Sequence, residues 1–213
     1  MKTCVYVDGF NLYYGLRHAI SLDQKGNKGY KWLDLSTLAK AILPHDEVTA
    51  IKYFTADIKP RKHDKQQLSR QLLYQRALKT IPHLEIIKGR FLSSVTSMPR
   101  ATDPKKKVKV IKTEEKGSDV NIASHLLADG FLARYEKAVV ISNDSDLVLP
   151  VEMVQSLLNI KVGIIIPPTK YPSYHLIQSA SFHRNLRIKT IKNSQFARQL
   201  NDDQGKFYRP KNW

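Results

Sequence analysis

Short apolar runs, each separated from the next by enough chain for a helix, constrain this sequence more than any other feature. They lie at residues 3–7, 48–55, 84–87, 138–142 and Lys161–Ile166. The last two are uninterrupted, as in strands buried on both faces. Helical patterns fall between them. One spans 11–19, and a second is started by Asp34-Leu35-Ser36 and stopped by Pro44. A third, 64–80, spaces Leu68, Leu72, Leu73 and Leu78 for one face. A fourth opens at Gly117-Ser118 and turns Val120, Ile122, Ala123, Leu126 and Leu127 inward, and a fifth covers 150–158. This alternation predicts an α/β fold built of βαβ units, with a mostly parallel sheet flanked by helices. Residues 21–30 read as a polar loop. Residues 91–113 fit the pattern least, with Pro99 and Pro104 present and only 107–112 partly alternating. At 213 residues, one domain with decorations is expected. The division is a body at 1–181 and a basic C-terminal extension at 182–213, irregular apart from a further strand at 186–191.

Charge narrows the partners. Thirty-five Lys and Arg against 19 Asp and Glu give a net charge of +16. Such a surface attracts polyanions, with nucleic acid the first candidate and an anionic membrane the second. A merely basic surface is the bland alternative. The single cysteine, Cys4, excludes an intrachain disulfide and reads as a small buried residue. Asp8 interrupts the first apolar run too early for a signal peptide. No stretch reaches the roughly 18 apolar residues of a membrane span. A cytoplasmic location without membrane attachment is the expectation.

In open α/β sheets, sites form at the carboxyl ends of strands. Asp8 follows the first run, while Asn143, Asp144 and Asp146 follow the run at 138–142. Asp119 stands at the start of the helix after Gly117-Ser118. Singly, each has an ordinary explanation: a turn, a helix cap, or a charge favoured by the helix dipole. Together, four carboxylates at one edge repel unless a cation neutralises them. A hard divalent ion such as Mg²⁺ or Mn²⁺ suits carboxylate oxygens. The seven histidines are scattered and Cys4 stands alone, so no zinc-type ligand set competes.

Three segments resemble motifs of the NYN domain, a branch of the PIN-like nuclease superfamily. Val5-Tyr6-Val7-Asp8-Gly9-Phe10-Asn11-Leu12-Tyr13 is similar to its opening motif. Glu115-Lys116-Gly117-Ser118-Asp119-Val120 resembles the central one, and Ile141-Ser142-Asn143-Asp144-Ser145-Asp146 the third. They occur in the family order. The resemblance implies a PIN-like three-layer sandwich and a metal-dependent ribonuclease that hydrolyses RNA phosphodiester bonds. It implies Mg²⁺ or Mn²⁺ held by Asp8, Asp119, Asp144 and Asp146, with Asn11 as a helper. Asp119 is expected to orient the attacking water, and Ser142 and Ser145 to hold the Asp144 loop. Two departures stand out. Asn143 replaces the usual glycine, and 178–182 offers serine where relatives often carry a further Asp.

Basic clusters suggest where RNA, single-stranded or structured, would lie. Lys105, Lys106, Lys107, Lys109, Lys112 and Lys116 precede or enter the central motif, and Arg61, Lys62 and Lys65 form a second group. If 107–112 is a strand, Lys107 and Lys109 share a face near Asp119 and make a positive rim to the cleft. Residues 182–213 carry eight Lys and Arg against two Asp. Solvated faces are the plain reading of each cluster. Tyr13, Tyr14, Tyr30 and Trp32 could stack bases, although core packing suits at least half of them. A protein partner or homo-oligomer is left open. Asp129, ten residues along the helix from Asp119 and about 15 Å away at 1.5 Å per residue, is expected to be uninvolved, so that Asp129→Asn is neutral. Two alternatives remain. One is a non-catalytic nucleic-acid-binding module on the same fold, and the other is an enzyme acting on a small molecule. The chain lacks a Gly-rich dinucleotide fingerprint, which argues against a Rossmann cofactor.

Overall fold

Successive residues of the first strand serve two different cores. The computed structural model describes residues 1–22, 30–59, 64–211 and 213. In β1 (Lys2–Asp8), Val5 and Val7 face one hydrophobic cluster while Cys4 and Tyr6 face the other, all nearly solvent-free. The chain continues through α1 (Gly9–Leu22), α2 (Leu35–Ile42), β2 (Glu47–Thr55), α3 (Gln67–Leu78) and β3 (Leu84–Lys88). Next come β4 (Arg90–Arg100), β5 (Asp103–Lys116), α4 (Ser118–Phe131), β6 (Lys137–Ile141), α5 (Val148–Leu158) and β7 (Lys161–Ile166). The last elements are α6 (Tyr174–Ser179), β8 (Phe182–Asn185), α7 (Ile188–Asn193), β9 (Gln199–Asp202) and β10 (Gly205–Tyr208).

Six strands form one sheet in the order β3-β2-β1-β6-β7-β8, and every neighbouring pair is parallel. The first three elements of the sheet progress outward on one side of β1. The chain then returns to β1 and builds outward on the other side. That reversal leaves a crevice above the carboxyl ends of β1 and β6, where α/β sheets form their sites. Residues of α1, α2, α3 and α7 fill the Val5/Val7 core, and those of α4, α5 and α6 fill the Cys4/Tyr6 core. The result is a three-layer α/β sandwich. Among the described residues, no helix is long and apolar enough to cross a membrane.

Two regions and one residue differ from the sequence expectation; the residue is Val120, expected to face inward on α4 but 69% exposed. Residues 91–113 are regular: β4 and β5 pair antiparallel from Arg90↔Lys116 outward to Arg100↔Asp103, as a ribbon outside the main sheet. Its side chains are mostly exposed on both faces, including Val95 and Ile111. With no buried face there is no selection for the alternation that would reveal a strand. The ribbon is anchored at its base, where Phe91 packs edge-on against Phe10 with centroids 5.6 Å apart. The tail is also ordered. Residues 182–185 form β8, and the strand expected at 186–191 is instead an extended turn leading into α7, because Ile188 and Ile191 follow helical spacing and Ile191 is buried. Leu186, Ile191, Phe207 and Trp213 join the first core. Arg76 clamps the final hairpin through Asp202 (2.6 Å) and lies 4.2 Å from the Phe207 ring.

Candidate active site

Asp8 ends β1 and is 2% exposed, a costly place for a carboxylate unless it is fully bonded. It is. One oxygen accepts from the backbone N–H of Phe10 (3.1 Å) and of Asn11 (3.0 Å), which open α1. The other accepts from Asn11 Nδ2 (2.6 Å) and from Ser142 Oγ (2.9 Å), just beyond β6. Ser142 Oγ in turn accepts from the Asp144 N–H at 3.1 Å, and Asp144 caps the 3₁₀ turn Ser145–Leu147 by accepting from the Asp146 N–H at 3.0 Å. Gly9 is required here, since a Cβ would lie 2.6 Å from the Phe54 carbonyl oxygen and 2.7 Å from the Tyr53 ring. Glycine therefore lets α1 start directly against the end of β2.

Asp119 enters from the opposite layer, in the first turn of α4. Gly117 precedes the helix with φ 102°, in the left-handed region that favours glycine. Glu115 accepts from Ser118 N (3.2 Å) and Ser118 Oγ (2.9 Å), fixing that start. Asp8, Asp119 and Asp144 each offer an oxygen within 4.8 Å of the others. Burial, followed by the charges of Asp144, Asp8, Glu115 and Asp146, pushes the Asp119 carboxyl up to about 6. Burial also raises Asp8, against the hydrogen bonds from Asn11 and Ser142 and with further upward pressure from Asp144. Three oxygen donors at mutual range, two of them held above the normal carboxylate range, are a charge excess that suits a hard cation.

Asp146 lies outside the mutual trio and is exposed, although its charge still reaches Asp119. Asn11 is a hydrogen-bond partner of Asp8. Asn143 does not disturb its loop: among the described residues, only Ala133 and Asn159 are non-glycines at positive φ. Its amide ties down the 171–173 loop, donating to Tyr171 O (3.0 Å) and accepting from Ser173 N (2.7 Å).

The basic residues are placed differently from the expected rim. Arg61 and Lys62 lie outside the described residues. Lys116 pairs with Arg90 at the base of the ribbon, beside the start of α4. Lys107 is nine residues farther out, about 30 Å along the ribbon at ~3.4 Å per residue. Lys107 and Lys109 share a ribbon face, with Lys105 and Lys106 nearer the tip. These four belong to a projecting arm, and the antiparallel ladder carries them away from the cleft. Tyr30 and Trp32 are core residues, 2% and 0% exposed, while Tyr13 and Tyr14 remain accessible.

Asp129 is not uninvolved in the fold. It is 2% exposed, and its carboxylate takes Lys52 Nζ at 2.5 Å, Tyr6 Oη at 2.8 Å and Arg134 at 2.9 Å. Burial would raise its pKa, but Lys52, Tyr6 and Arg134 outweigh this and hold it below the usual range. Tyr53 is a neighbour of Asp8 that sequence reasoning missed: its phenol is buried, and burial and then the Asp8 charge raise its pKa. A cavity of about 350 Å³ opens next to it, between α1 and α3, with Lys31 and Trp213 in its wall.

Comparison with known proteins agrees with this fold. A family model described as the NYN domain matches residues 2–186. The chain is 29% identical over 195 residues to a protein of Pseudomonas putida named 6-hydroxy-3-succinoylpyridine 3-monooxygenase HspA, covering 78% of this chain. It spans 60% of that relative's length. A crystal structure of a protein of unknown function from Vibrio parahaemolyticus has the same fold, with TM-score 0.57 and 19% identity. That match covers 88% of this chain and 93% of the other.

Proposed function

The chain belongs to the NYN domain family and has its nuclease-like fold, and from that premise we propose that it is a metal-dependent ribonuclease. One observation carries the proposal: Asp8, Asp119 and Asp144, from three different elements, converge to within 4.8 Å, and among the described residues none of them forms a salt bridge. Mg²⁺ or Mn²⁺ bound by these carboxylates would lower the pKa of its water and polarise a phosphoryl oxygen. Asp8 is the rigid donor, oriented by Asn11 and Ser142. Asp144 is set by Ser142 and its own turn. Asp119 orients the attacking water, whose oxygen would add to phosphorus as one ester P–O bond breaks, the water giving up a proton to solvent and the leaving sugar oxygen taking one up. Asp146 acts from outside, adding negative charge at the rim. Lys116 steers the backbone at the cleft, and Lys105, Lys106, Lys107, Lys109 and Lys112 bind RNA along the arm, away from the cut.

The test is cleavage of mixed RNA and DNA by the wild type and by Asp144→Asn, each with Mg²⁺, Mn²⁺ or chelator. The expected result is RNA cleavage that needs both the ion and Asp144. Wild-type rates from a folded Asp144→Asn protein would overturn the mechanism. Binding without cleavage under every condition would favour the non-catalytic module.

A second reading, an enzyme of a small aromatic molecule, is supported by the aromatic cavity beside the acids and by the name of the Pseudomonas putida relative. Oxygen uptake with 6-hydroxy-3-succinoylpyridine and a reductant, alongside intact RNA, would favour it.

A further inference from the structure

We propose that the cavity between α1 and α3 is a binding site for an aromatic ring carrying an anionic group. Assigning that ring to a nucleotide next to the cut bond rests on the nuclease reading; the ring-plus-anion chemistry does not. About 350 Å³ is at the small end of the roughly 300–1,000 Å³ typical of small-molecule sites and admits one such ligand. Tyr13, Tyr14 and Trp213 provide aromatic surface.

The charge in the wall is unbalanced. Arg17, Lys31 and Arg70 line the cavity with Asp64, and Asp64 is engaged by Arg70. Among the described residues, Lys31 and Arg17 form no salt bridge. The Lys31 ammonium sits 5.8 Å from the Tyr13 ring centroid and 5.6 Å from that of Trp213. Packing against rings alone is worth about 0.5–1 kcal/mol at exposed sites and more when desolvated. It leaves the repulsion from the two guanidinium groups in place. Burial, and then Arg17 and Arg70, hold the Lys31 pKa below the usual lysine value. An anion at this point would relieve both the burial and the repulsion.

The cavity also lies at the right place. Gly9 and Phe10 in its wall directly follow Asp8, and Tyr53, another wall residue, feels the Asp8 charge. The backbone contact forced at Gly9 fixes the spacing between cavity and carboxylates. A strand laid across the edge would place a phosphate at the acids and a neighbouring base against Tyr13 and Trp213.

The experiment is equilibrium binding to the full chain in chelator, read by quenching of the fluorescence of Trp213. The probes are uridine 5′-monophosphate, pyridine-3-carboxylate, uridine and inorganic phosphate. The nucleotide should bind, with uridine and phosphate each at least about tenfold weaker, because ring and charge are both needed. Lys31→Gln and Arg17→Gln should each weaken nucleotide binding by about tenfold, while Lys161→Gln, an exposed lysine at the amino end of β7, binds as the wild type does. On RNA, Lys31→Gln should raise KM and spare kcat. Nucleotide binding unchanged in both cation variants, or no quenching by either anionic ring, overturns the site. Binding of pyridine-3-carboxylate without the nucleotide overturns the nucleotide assignment and supports a small aromatic acid as the occupant. Nucleotide binding by a protein that cuts no RNA supports the site while the nuclease reading fails.

Discussion

The two ends of α4 carry the same side chain in opposite surroundings. At its start, Asp119 faces three other acids and Glu115, and its carboxyl is pushed up to about 6. Near its end, Asp129 is enclosed by Lys52, Tyr6 and Arg134 and held low. At the Asp129 end, each carboxylate oxygen finds a donor and the charge stabilises the fold. At the Asp119 end, the fold holds an electrostatic conflict in place, a pattern associated with functional sites. A sequence contains two aspartates ten positions apart; only the packing separates a structural acid from a chemical one.

The sharpest way to break this contrast is to neutralise one acid at each end. Asp144→Asn should lower metal-dependent cleavage well beyond the ~10–100-fold typical of losing an outer-shell partner, with thermal stability preserved or raised. Asp129→Asn should do the reverse. Breaking a buried pair costs about 3–5 kcal/mol, which for a chain of this size lowers Tm by roughly 6–20 °C at ~2–4 °C per kcal/mol. Differential scanning calorimetry alongside cleavage rates separates the two. Equal loss of stability in both variants would erase the distinction.

Titration sharpens the contrast further. The folded pKa of Asp119 is raised above its ordinary 3.8, so its contribution to stability is fully present below that value and is lost as pH rises through about 6. Asp129 is depressed, so its contribution is present above the ordinary value and is lost as pH falls through the folded value. Metal-free Asp119→Asn should therefore gain stability over the wild type at pH 7 and lose that advantage near pH 4. Mg²⁺ should raise the wild-type Tm more at pH 7.5 than at pH 5, because protonation competes with the ion. Melting curves across pH, with and without Mg²⁺, check both, and a pH-independent response to Mg²⁺ would count against Asp119 as a ligand. Asn11→Ala should have a smaller effect, weakening Mn²⁺ binding by about 10–100-fold in calorimetric titration through loss of the Asp8 contact.

The smallest effect belongs to the arm. Replacing Lys105, Lys106 and Lys107 with Ala should flatten the plot of log affinity against log salt by up to about 2, at ~0.7 per phosphate contact on a single strand. Cleavage at saturating RNA should not change, because these residues lie about 30 Å along the ribbon from its base. An unchanged slope would leave the tip as a solvated surface.

The sheet was legible because its strands are buried on both faces and read as apolar runs, as in 138–142 and Lys161–Ile166. Asp8 and Asp144 were legible because each follows such a run, and Asp119 because it starts the helix that opens at Gly117-Ser118. The ribbon was not, since solvent on both faces leaves no periodicity at 91–113. The role of Asp129 depends on Tyr6 and Lys52, which are 123 and 77 positions away, a distance no local pattern spans. The cavity was hidden for the same reason, its walls coming from α1, β2, α3, Lys31 and Trp213. Helical Ile188 and Ile191 were misread because so short an apolar pattern suits either element.

Asp8 hangs from the central strand, paired along its length on both sides by β2 and β6. Amides of such a strand exchange with solvent only when the whole domain opens, whereas short turns and helix starts open locally at far lower cost. Asp144 rides a 3₁₀ turn and Asp119 a first helical turn. The acidic edge is thus a clamp with one stationary jaw and two that can adjust. Hydrogen exchange should find Val7 and Asp8 among the slowest amides of the protein, and 144–146 and 117–119 among those that slow most when an ion is added.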